Sequence, residues 1–314
     1  MILLYTFQRK NPYIGGTILK KFILPFIVLM SVLLFIGCSK NVDEKTKTFY
    51  IGGIPDQSQS VQSDSMNELA AILSEATGLD VQYKEVTDYA AVVNGFARDE
   101  IQLAWFGGLT GVQARAKVKN SVAVAQRIED PNFQSIFIAG IDTGIESLTD
   151  YKGKSFTFGS ESSTSGHLMP RYFLTQAGIN PDTDFTGEAG YSGSHDRTIE
   201  LVANGTFDGG ALNIYVWQRY VEEGLIDLSN IKEVEESPEY YDYNFTMRSK
   251  EDIDAAYGEG VFDKIVEALL AVDIRNNESL NKYFNSEGFI PANNEQFALI
   301  QETAENLGLH HVKD

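Results

Sequence analysis

The sequence predicts an α/β fold with two similar lobes, each a mainly parallel sheet covered by helices. Short apolar runs alternate with helical patterns from residue 48 onward, in the order strand, helix, strand, helix, strand. This order is typical of a parallel sheet covered by helices. A second series of the same kind begins near residue 153. With 314 residues, 43% of them apolar, the chain is long enough to bury a core in each lobe.

The first series of elements occupies residues 48–105. In its first helix, Met66, Leu69 and Leu73 recur on one face, as a helical period requires, and Gly78 is a typical helix stop. The predicted elements are a strand at 48–54, a helix at 63–77, a strand at 79–86, a helix at 89–98 and a strand at 101–105.

The second series repeats the arrangement, because NGFARDEIQLAW and LVANGTFDGGAL both join a helix end to a small-residue strand. Its predicted elements are a strand at 153–159, a helix at 165–178, a helix at 195–205 and a strand at 206–212. The segments near 139–147 and 234–246 are the candidate crossovers between the lobes. Amphipathic helices at 261–272 and 294–309 complete the chain.

The N-terminal region is typical of an export signal. Lys20 and Lys21 precede FILPFIVLMSVLLFIGC, a run of about fifteen apolar residues that is short for a membrane span. It ends at Cys38, the only cysteine. FIGC is similar to the lipobox of bacterial lipoproteins, although Phe35 replaces the usual leucine. We therefore expect a signal peptide at 1–37, lipidation at Cys38 and a tether at 38–46. An uncleaved signal anchor is the alternative.

The charge of the chain argues against a nucleic-acid partner. The net charge is −19, and the first 40 residues carry bases but no acid, so the remainder is more acidic still. Nucleic-acid binding depends on a basic face, whereas a small anion needs only a local pocket. A single cysteine excludes an intrachain disulfide and a thiolate metal site. No histidine cluster or nucleotide fingerprint is present, so we expect neither a metal nor a cofactor.

A run of hydroxyl side chains is the strongest candidate for a binding site. SESSTSGHLMP (160–170) joins a predicted strand to a predicted helix, and ligands of such sheets bind beyond the carboxyl ends of the strands. Ser163, Thr164 and Ser165 therefore lie at a helix N-terminus, where unpaired N–H groups and partial positive charge attract anions. Added hydroxyl donors suit a tetrahedral oxyanion. A serine-rich capping loop is the alternative.

A second candidate element is YSGSHDRTIELV (191–202), which places His195 and Asp196 at the start of a predicted helix. A histidine there can donate a ring N–H to an anion. A hydrolase triad is disfavoured, because no G-x-S-x-G pattern is present and adjacent His195 and Asp196 point in different directions. Aromatic residues near strand ends are candidate cleft walls: Tyr89, Trp105, Phe106, Tyr215 and Trp217.

Five segments resemble those of the phosphonate and phosphite substrate-binding proteins of ABC transporters. In chain order they are IPDQ, TDYAAVVNGFARDEIQLAWFGG, FTFGSESSTSGHLMP, GSHDRTIELVANGTFDGGALN and ESPEYYDYNFTMR. The resemblance covers roughly residues 47–310 and implies the two-lobed type II periplasmic-binding fold, which closes around a tetrahedral oxyanion. It implies lobe 1 at 47–140 plus 243–314 and lobe 2 at 141–242.

The resemblance also implies roles for individual residues. Ser163, Thr164 and Ser165 are expected to donate hydrogen bonds to the anionic head, and Tyr89 to reach the same oxygens. His195 corresponds to the family's second-lobe histidine.

Asp242 corresponds to an acid in the crossover. Its carboxylate accepts a hydrogen bond only from a protonated oxyanion, which favours phosphite or a phosphonate over fully ionised sulfate or selenate.

Two departures from the family pattern concern aromatic residues. Phe106 replaces a tyrosine, which keeps the wall of the cleft and removes a hydroxyl. Tyr215 occupies the place where binders of aminoalkyl phosphonates carry an acid. We therefore expect a small ligand such as phosphite, methylphosphonate or phosphate.

Taken together, the resemblance implies a non-enzymatic extracytoplasmic solute-binding protein, anchored to the membrane through lipid on Cys38. Its expected partners are the oxyanion and the ABC permease and ATPase. A selenate or sulfate binder is one alternative, because some relatives with S-S-T-S-G and G-S-H-D are labelled selenate-type. A sensory or enzymatic module on the same fold is the other.

Overall fold

The computed structural model of this protein describes residues 47–312. The predicted signal peptide, the tether and Cys38 lie outside this range, so their assignments stay predictions. Within 47–312, none of the helices combines the length and the apolar character needed to cross a membrane.

The strands of the described region form two sheets. They are Phe49–Gly53 (β1), Val81–Tyr83 (β2), Leu103–Phe106 (β3), Val122–Arg127 (β4), Ser135–Gly140 (β5), Phe156–Phe158 (β6), Gly190–Tyr191 (β7), Gly209–Asn213 (β8), Ile231–Glu236 (β9), Asn244–Met247 (β10) and Phe289–Pro291 (β11). The first sheet has the order β11-β4-β10-β3-β1-β2 and the second the order β7-β6-β8-β5-β9. Each sheet forms the centre of one lobe.

Helices cover both sheets. They are Gln59–Thr77 (α1), Tyr89–Ala97 (α2), Gly108–Lys117 (α3), Met169–Gln176 (α4), His195–Ala203 (α5), Ile214–Glu222 (α6), Lys250–Tyr257 (α7), Val261–Leu270 (α8), Glu278–Phe284 (α9) and Ala298–Asn306 (α10). One π-helical turn, Thr164–Leu168, leads directly into α4. The predicted two-lobed α/β fold is confirmed.

Both sheets are mixed rather than mainly parallel. β1 pairs in parallel with β2 and β3, and β6 pairs in parallel with β7 and β8. β10 runs antiparallel to β3 and β4, and β5 runs antiparallel to β8 and β9. β5 and β10 each follow a crossover from the other lobe, so each enters its sheet in the opposite direction.

The first crossover lies earlier than the sequence predicts. The segment near 139–147 is the predicted crossing, and residue 140 the predicted boundary, yet β5 already belongs to the second sheet. The chain crosses near Phe133, which pairs with Tyr240 of the returning crossover. Strand β5 is an apolar run buried on both faces, so it lacks the alternation that distinguishes a strand from a linker.

Helices α3 and α6 are not among the elements that the sequence predicts. Each begins directly after a strand. Seven residues of α3 are buried, on all sides of the helix, so it carries no amphipathic pattern. Their N-termini nevertheless matter for the site, because they follow the carboxyl ends of β3 and β8.

An apolar contact joins the two lobes. Leu168 and Met169 belong to the second lobe, are fully buried and pack in the same apolar cluster as Leu109 and Ile300 of the first lobe. The two lobes are therefore closed against one another.

We expect Gly209→Ala to destabilise the second lobe. A Cβ atom at Gly209 would collide with the ring of Tyr151 and would lie 2.9 Å from the carbonyl oxygen of Ile138. Such overpacking costs about 1–3 kcal/mol, which urea denaturation measures. Gly288→Ala is the matched control, because the heavy atom nearest to its added Cβ would be the carbonyl oxygen of Val272 at 3.6 Å. Equal stability of the two variants would contradict this account of β8.

Candidate functional site

The candidate site lies between the lobes, where strands of both sheets end. Asp56 follows β1, Gly107 follows β3, and the serine-rich loop follows β6. The N-termini of α3 and of the π-turn before α4 face this region from opposite lobes. A hydrogen bond links the two N-termini across the cleft: the Leu109 N–H of α3 donates to Thr164 Oγ1 of the π-turn over 2.9 Å.

The serine-rich loop owes its shape to two glycines and a proline. Pro170 has no N–H, so it cannot donate to the carbonyl of Gly166 as a helix requires. That carbonyl instead accepts the N–H of Gly159 over 2.8 Å. A Cβ atom on Gly159 would lie 3.3 Å from the Cα of Gly166. This close approach holds the turn that begins at Thr164 against the end of β6.

The three predicted hydroxyls are all buried, and each has a different set of partners. Ser163 Oγ accepts the Gly166 N–H over 3.0 Å and caps the helix. Thr164 Oγ1 accepts from Leu109, as described above. Ser165 Oγ has no hydrogen-bond partner within the described residues. A hydroxyl that accepts keeps its own hydrogen for donation, so Ser163 and Ser165 can donate to an anion. The Thr164 hydroxyl also stabilises ionised Asp242, and its donation to a ligand stays a prediction.

Asp242 lies at the N-terminus of α3 and is 1% exposed. Its Oδ1 accepts the Gly108 N–H over 2.8 Å, whereas its Oδ2 has no partner within the described residues. Burial raises the pKa of Asp242 to about 7, against the opposing effects of the Gly108 N–H and the Thr164 hydroxyl. The group therefore changes protonation state near neutral pH.

Tyr89 begins helix α2, whose N-terminus is capped by Asp88 through a 2.7 Å bond from the Ala91 N–H. The Tyr89 hydroxyl is buried and has no partner within the described residues. Burial, followed by the charge of Asp56, raises the pKa of Tyr89 well above its usual value, and Asp242 adds to the shift. Tyr89 therefore stays a neutral hydroxyl and a hydrogen-bond donor.

Ser165, Tyr89 and Asp242 thus each present a buried polar atom that has no hydrogen-bond partner among residues 47–312. Buried polar groups are normally hydrogen-bonded, so three such atoms in one interlobe region indicate a ligand site. Two of the groups donate and one carboxyl oxygen accepts. This set suits an oxyanion that carries one proton.

Both ring nitrogens of His195 contact polar groups of the protein. Its Nδ1 lies 3.4 Å from the backbone N of Asn213, and its Nε2 lies 3.3 Å from the Tyr243 hydroxyl. Burial lowers the pKa of His195, with Asp56 and Asp196 acting in the opposite direction. The structure therefore places His195 in the cleft, linked to neighbouring side chains. Its predicted donation to the ligand stays a prediction.

Two of the five candidate wall residues, Phe106 and Tyr215, lie at different places. The ring of Phe106 packs edge to face on Phe96, 5.6 Å away, inside the first-lobe core. The half-buried ring of Tyr215 contacts Phe133 at 5.3 Å and lies 5.9 Å from the Arg127 guanidinium. Tyr215 is therefore on the hinge side of the cleft. Phe106 instead belongs to the first-lobe core at the end of β3.

Sequence reasoning missed two buried groups that the structure brings into the cleft. Asp56 accepts hydrogen bonds from the hydroxyls of Tyr243 over 2.7 Å and Tyr283 over 2.9 Å. IPDQ marked Asp56 only as a strand-end residue, and Tyr243 is one of three tyrosines in EYYDYN. Within 47–312, no group of three or more His, Cys, Asp or Glu side chains is arranged to hold a metal ion.

We expect Asp242 to make the ligand-free protein less stable as pH rises. Its folded pKa of about 7 exceeds its unfolded value of about 4. Between these values the folded chain holds a proton that the unfolded chain has released, so stability falls with rising pH. The free energy of unfolding of Asp242→Asn, minus that of the wild type, should therefore increase from about pH 4 to about pH 7 and then level off.

Urea denaturation at intervals across this range measures that difference. Asp208→Asn is the control for a general effect of replacing aspartate, because Asp208 accepts bonds from Ser155 within the second lobe. A pH-independent difference for Asp242→Asn would contradict the assignment.

Comparison with known proteins agrees with the geometry. The family model described as "ABC transporter, phosphonate, periplasmic substrate-binding protein" matches residues 51–297. "Probable ABC transporter phosphite binding protein PhnD1" from Prochlorococcus marinus (strain MIT 9301) is 38% identical over 294 residues, which cover 91% of this chain and 98% of that protein.

Solved structures agree as well. The structure of PhnD1 from Prochlorococcus marinus in complex with methylphosphonate has a TM-score of 0.79 and 39% identity, covering 84% of this chain and 99% of that one. The aliphatic sulphonate binding protein SsuA from Escherichia coli has a TM-score of 0.57 and 17% identity over 83% of this chain and 91% of its own, a likeness of fold alone. The predicted family is confirmed: this chain belongs to the periplasmic phosphonate substrate-binding proteins of ABC transporters.

Proposed function

We propose that the protein captures a small phosphorus oxyanion that carries one proton, such as phosphite or methylphosphonate. The observation that carries the proposal is the buried Oδ2 of Asp242, which has no partner within the described residues. A carboxylate accepts and never donates. It therefore selects a ligand with an O–H group, or else must itself be protonated.

The other groups of the site complement the charged oxygens of such a ligand. Ser163, Thr164 and Ser165 offer hydroxyl donors at a helix N-terminus, and the hydroxyl of Tyr89 is uncommitted. A fully ionised sulfate or selenate would place an oxygen against the Asp242 carboxylate. The unpaired negative charge would cost on the order of several kcal/mol. No observation favours that second ligand class.

Two cavities near the site differ in size. Near Tyr215 the free volume is about 10 Å³, and Arg127 and Asn213 also line it; this is about enough for one water-sized sphere. A larger cavity of about 260 Å³ lies at the outer end of the cleft, between Tyr89 and the 160–162 loop. Any longer substituent would extend there.

Membership of this family supports a role in ligand transport. Relatives named as ABC transporter binding proteins support a non-enzymatic role in which the closed protein delivers its ligand to a permease driven by an ATPase. The signal sequence and lipobox that end at Cys38 support anchoring at the extracytoplasmic face of the membrane.

Calorimetry with phosphite, methylphosphonate, aminoethylphosphonate, phosphate, sulfate and selenate, each at pH 6 and pH 8.5, tests the proposal. We expect phosphite and methylphosphonate to bind most tightly. Above the pH at which ligand and Asp242 are both ionised, binding must take up a proton, so affinity should fall about tenfold per pH unit. Tight binding of sulfate or selenate at pH 8.5 would remove Asp242 from the site. Failure of all six ligands would overturn the proposed function.

Two substitutions test the donors directly. Ser165→Ala and Tyr89→Phe each remove one hydroxyl, and a hydrogen bond to a charged group contributes about 1.5–3 kcal/mol. We therefore expect methylphosphonate affinity to fall about tenfold to a hundredfold in each variant. Ser121→Ala and Tyr151→Phe are matched controls, because both hydroxyls bond to carbonyls away from the cleft. Unchanged affinity in Ser165→Ala and Tyr89→Phe would show that the anion lies elsewhere.

A further inference from the structure

We propose that Tyr243 is a positioning residue that ties anion capture to closure of the lobes, by joining Asp56 of the first lobe to His195 and Asn213 of the second. We call these four residues the closure chain. The inference rests on the proposed function, since it concerns how the same site closes.

The direction of each hydrogen bond in the closure chain follows from chemistry. An ionised carboxylate only accepts, so the Tyr243 hydroxyl donates to Asp56 Oδ2 over 2.7 Å. The Tyr243 oxygen is then an acceptor, and Asn213 Nδ2 donates to it over 3.1 Å. His195 Nε2 lies 3.3 Å from the same oxygen and must carry a hydrogen to bond there.

The other nitrogen of His195 is fixed as an acceptor. The backbone N–H of Asn213 points at His195 Nδ1 over 3.4 Å. A proton on Nδ1 would bring two N–H groups face to face. The closure chain therefore requires the neutral imidazole with its hydrogen on Nε2.

The backbone makes a parallel connection between the lobes. The His195 N–H donates to the carbonyl oxygen of Asp56 over 3.1 Å. The N-cap residue of helix α5, Ser194, makes no side-chain cap, because its hydroxyl donates to Asp196 over 2.5 Å. The first N–H of helix α5 thus finds its partner across the cleft. Opening of the lobes breaks this bond together with the side-chain bonds.

The first-lobe end of the closure chain is firmly held. The second oxygen of Asp56 accepts the Tyr283 hydroxyl over 2.9 Å, and Gln62 Nε2 donates to that hydroxyl over 3.2 Å. The ring of Tyr243 stacks on Trp105 at 5.3 Å and 18°. Tyr243 therefore presents its oxygen to the second lobe from a fixed position, which is what positioning requires.

Proton release on closing follows from this arrangement. The charged groups that face His195 are Asp56, from the segment after β1, and Asp196, from its own helix; both favour the imidazolium, and burial opposes it. Tyr243 and Asn213 approach as uncharged neighbours. In an open form His195 is exposed to solvent and takes up a proton below about pH 6.5. Closing must then release that proton, so affinity falls towards acid, by up to about tenfold per pH unit.

The first test is the affinity of the full-length chain for methylphosphonate from pH 5 to pH 8.5. We expect the wild type to lose affinity on the acid side, through His195, as well as on the alkaline side, through Asp242. Tyr243→Phe keeps the stacked ring and removes the oxygen, so it should bind about tenfold more weakly at pH 7. His195→Gln should bind more weakly at every pH and should have no acid-side loss. Tyr283→Phe is the matched control, because it removes the other phenol from Asp56 without touching the second lobe, and it should keep the acid-side loss.

The second test is amide hydrogen exchange of residues 191–202, which include the His195 N–H, in the ligand-free full-length chain at pH 7. We expect exchange to be faster in Tyr243→Phe than in the wild type, and Tyr283→Phe to resemble the wild type. This comparison needs no ligand, so it tests the closure chain even if no phosphorus oxyanion binds. An acid-side loss that persists in His195→Gln, or unchanged exchange in Tyr243→Phe, would overturn the inference and leave the proposed function standing.

Discussion

The buried carboxyl group of Asp242 is the constraint on which the rest of the cleft depends. A charge enclosed between two lobes is costly unless it is compensated. Here the Gly108 N–H satisfies one oxygen, and the hydroxyl of Thr164 stabilises the ionised form from the second lobe. The second oxygen depends on a proton, either its own or one that a ligand brings. Closure and the ionisation of the cleft are therefore coupled.

Closure combines contacts of two kinds. Leu168 and Met169 bury apolar side chains against the first-lobe core, and this contribution is non-directional. The bonds that Tyr243 and Thr164 make across the cleft are directional, so they require one defined closed geometry. The apolar contact favours a closed form in general. The polar contacts decide where the donors of the second lobe lie relative to Asp242.

A buried ion pair stiffens the crossovers that carry Asp242. Arg127 Nη2 lies 2.6 Å from Asp130 Oδ1, and Arg127 Nη1 donates to the carbonyl of Phe284 over 2.9 Å. The carbonyl of Asp130 in turn accepts the backbone N–H of Asp242 over 3.2 Å. Removing one partner of such a pair leaves an uncompensated buried charge, at a cost of about 3–5 kcal/mol. The position of the Asp242 backbone thus depends on charges outside the anion site.

The strand–helix series and the hydroxyl run at Ser163–Ser165 can be read from the sequence, because a turn between a strand and a helix depends on neighbouring residues. Family motifs added Tyr89 and Asp242. The mixed pairing of β5 and β10 depends on tertiary contacts, and so does the helix at Gly108, whose buried residues carry no periodic signal. The hydrogen bond from Tyr243 to Asp56 likewise depends on tertiary contacts, because it spans 187 residues of sequence. A contact of that separation depends on how two lobes close, and no local pattern encodes it.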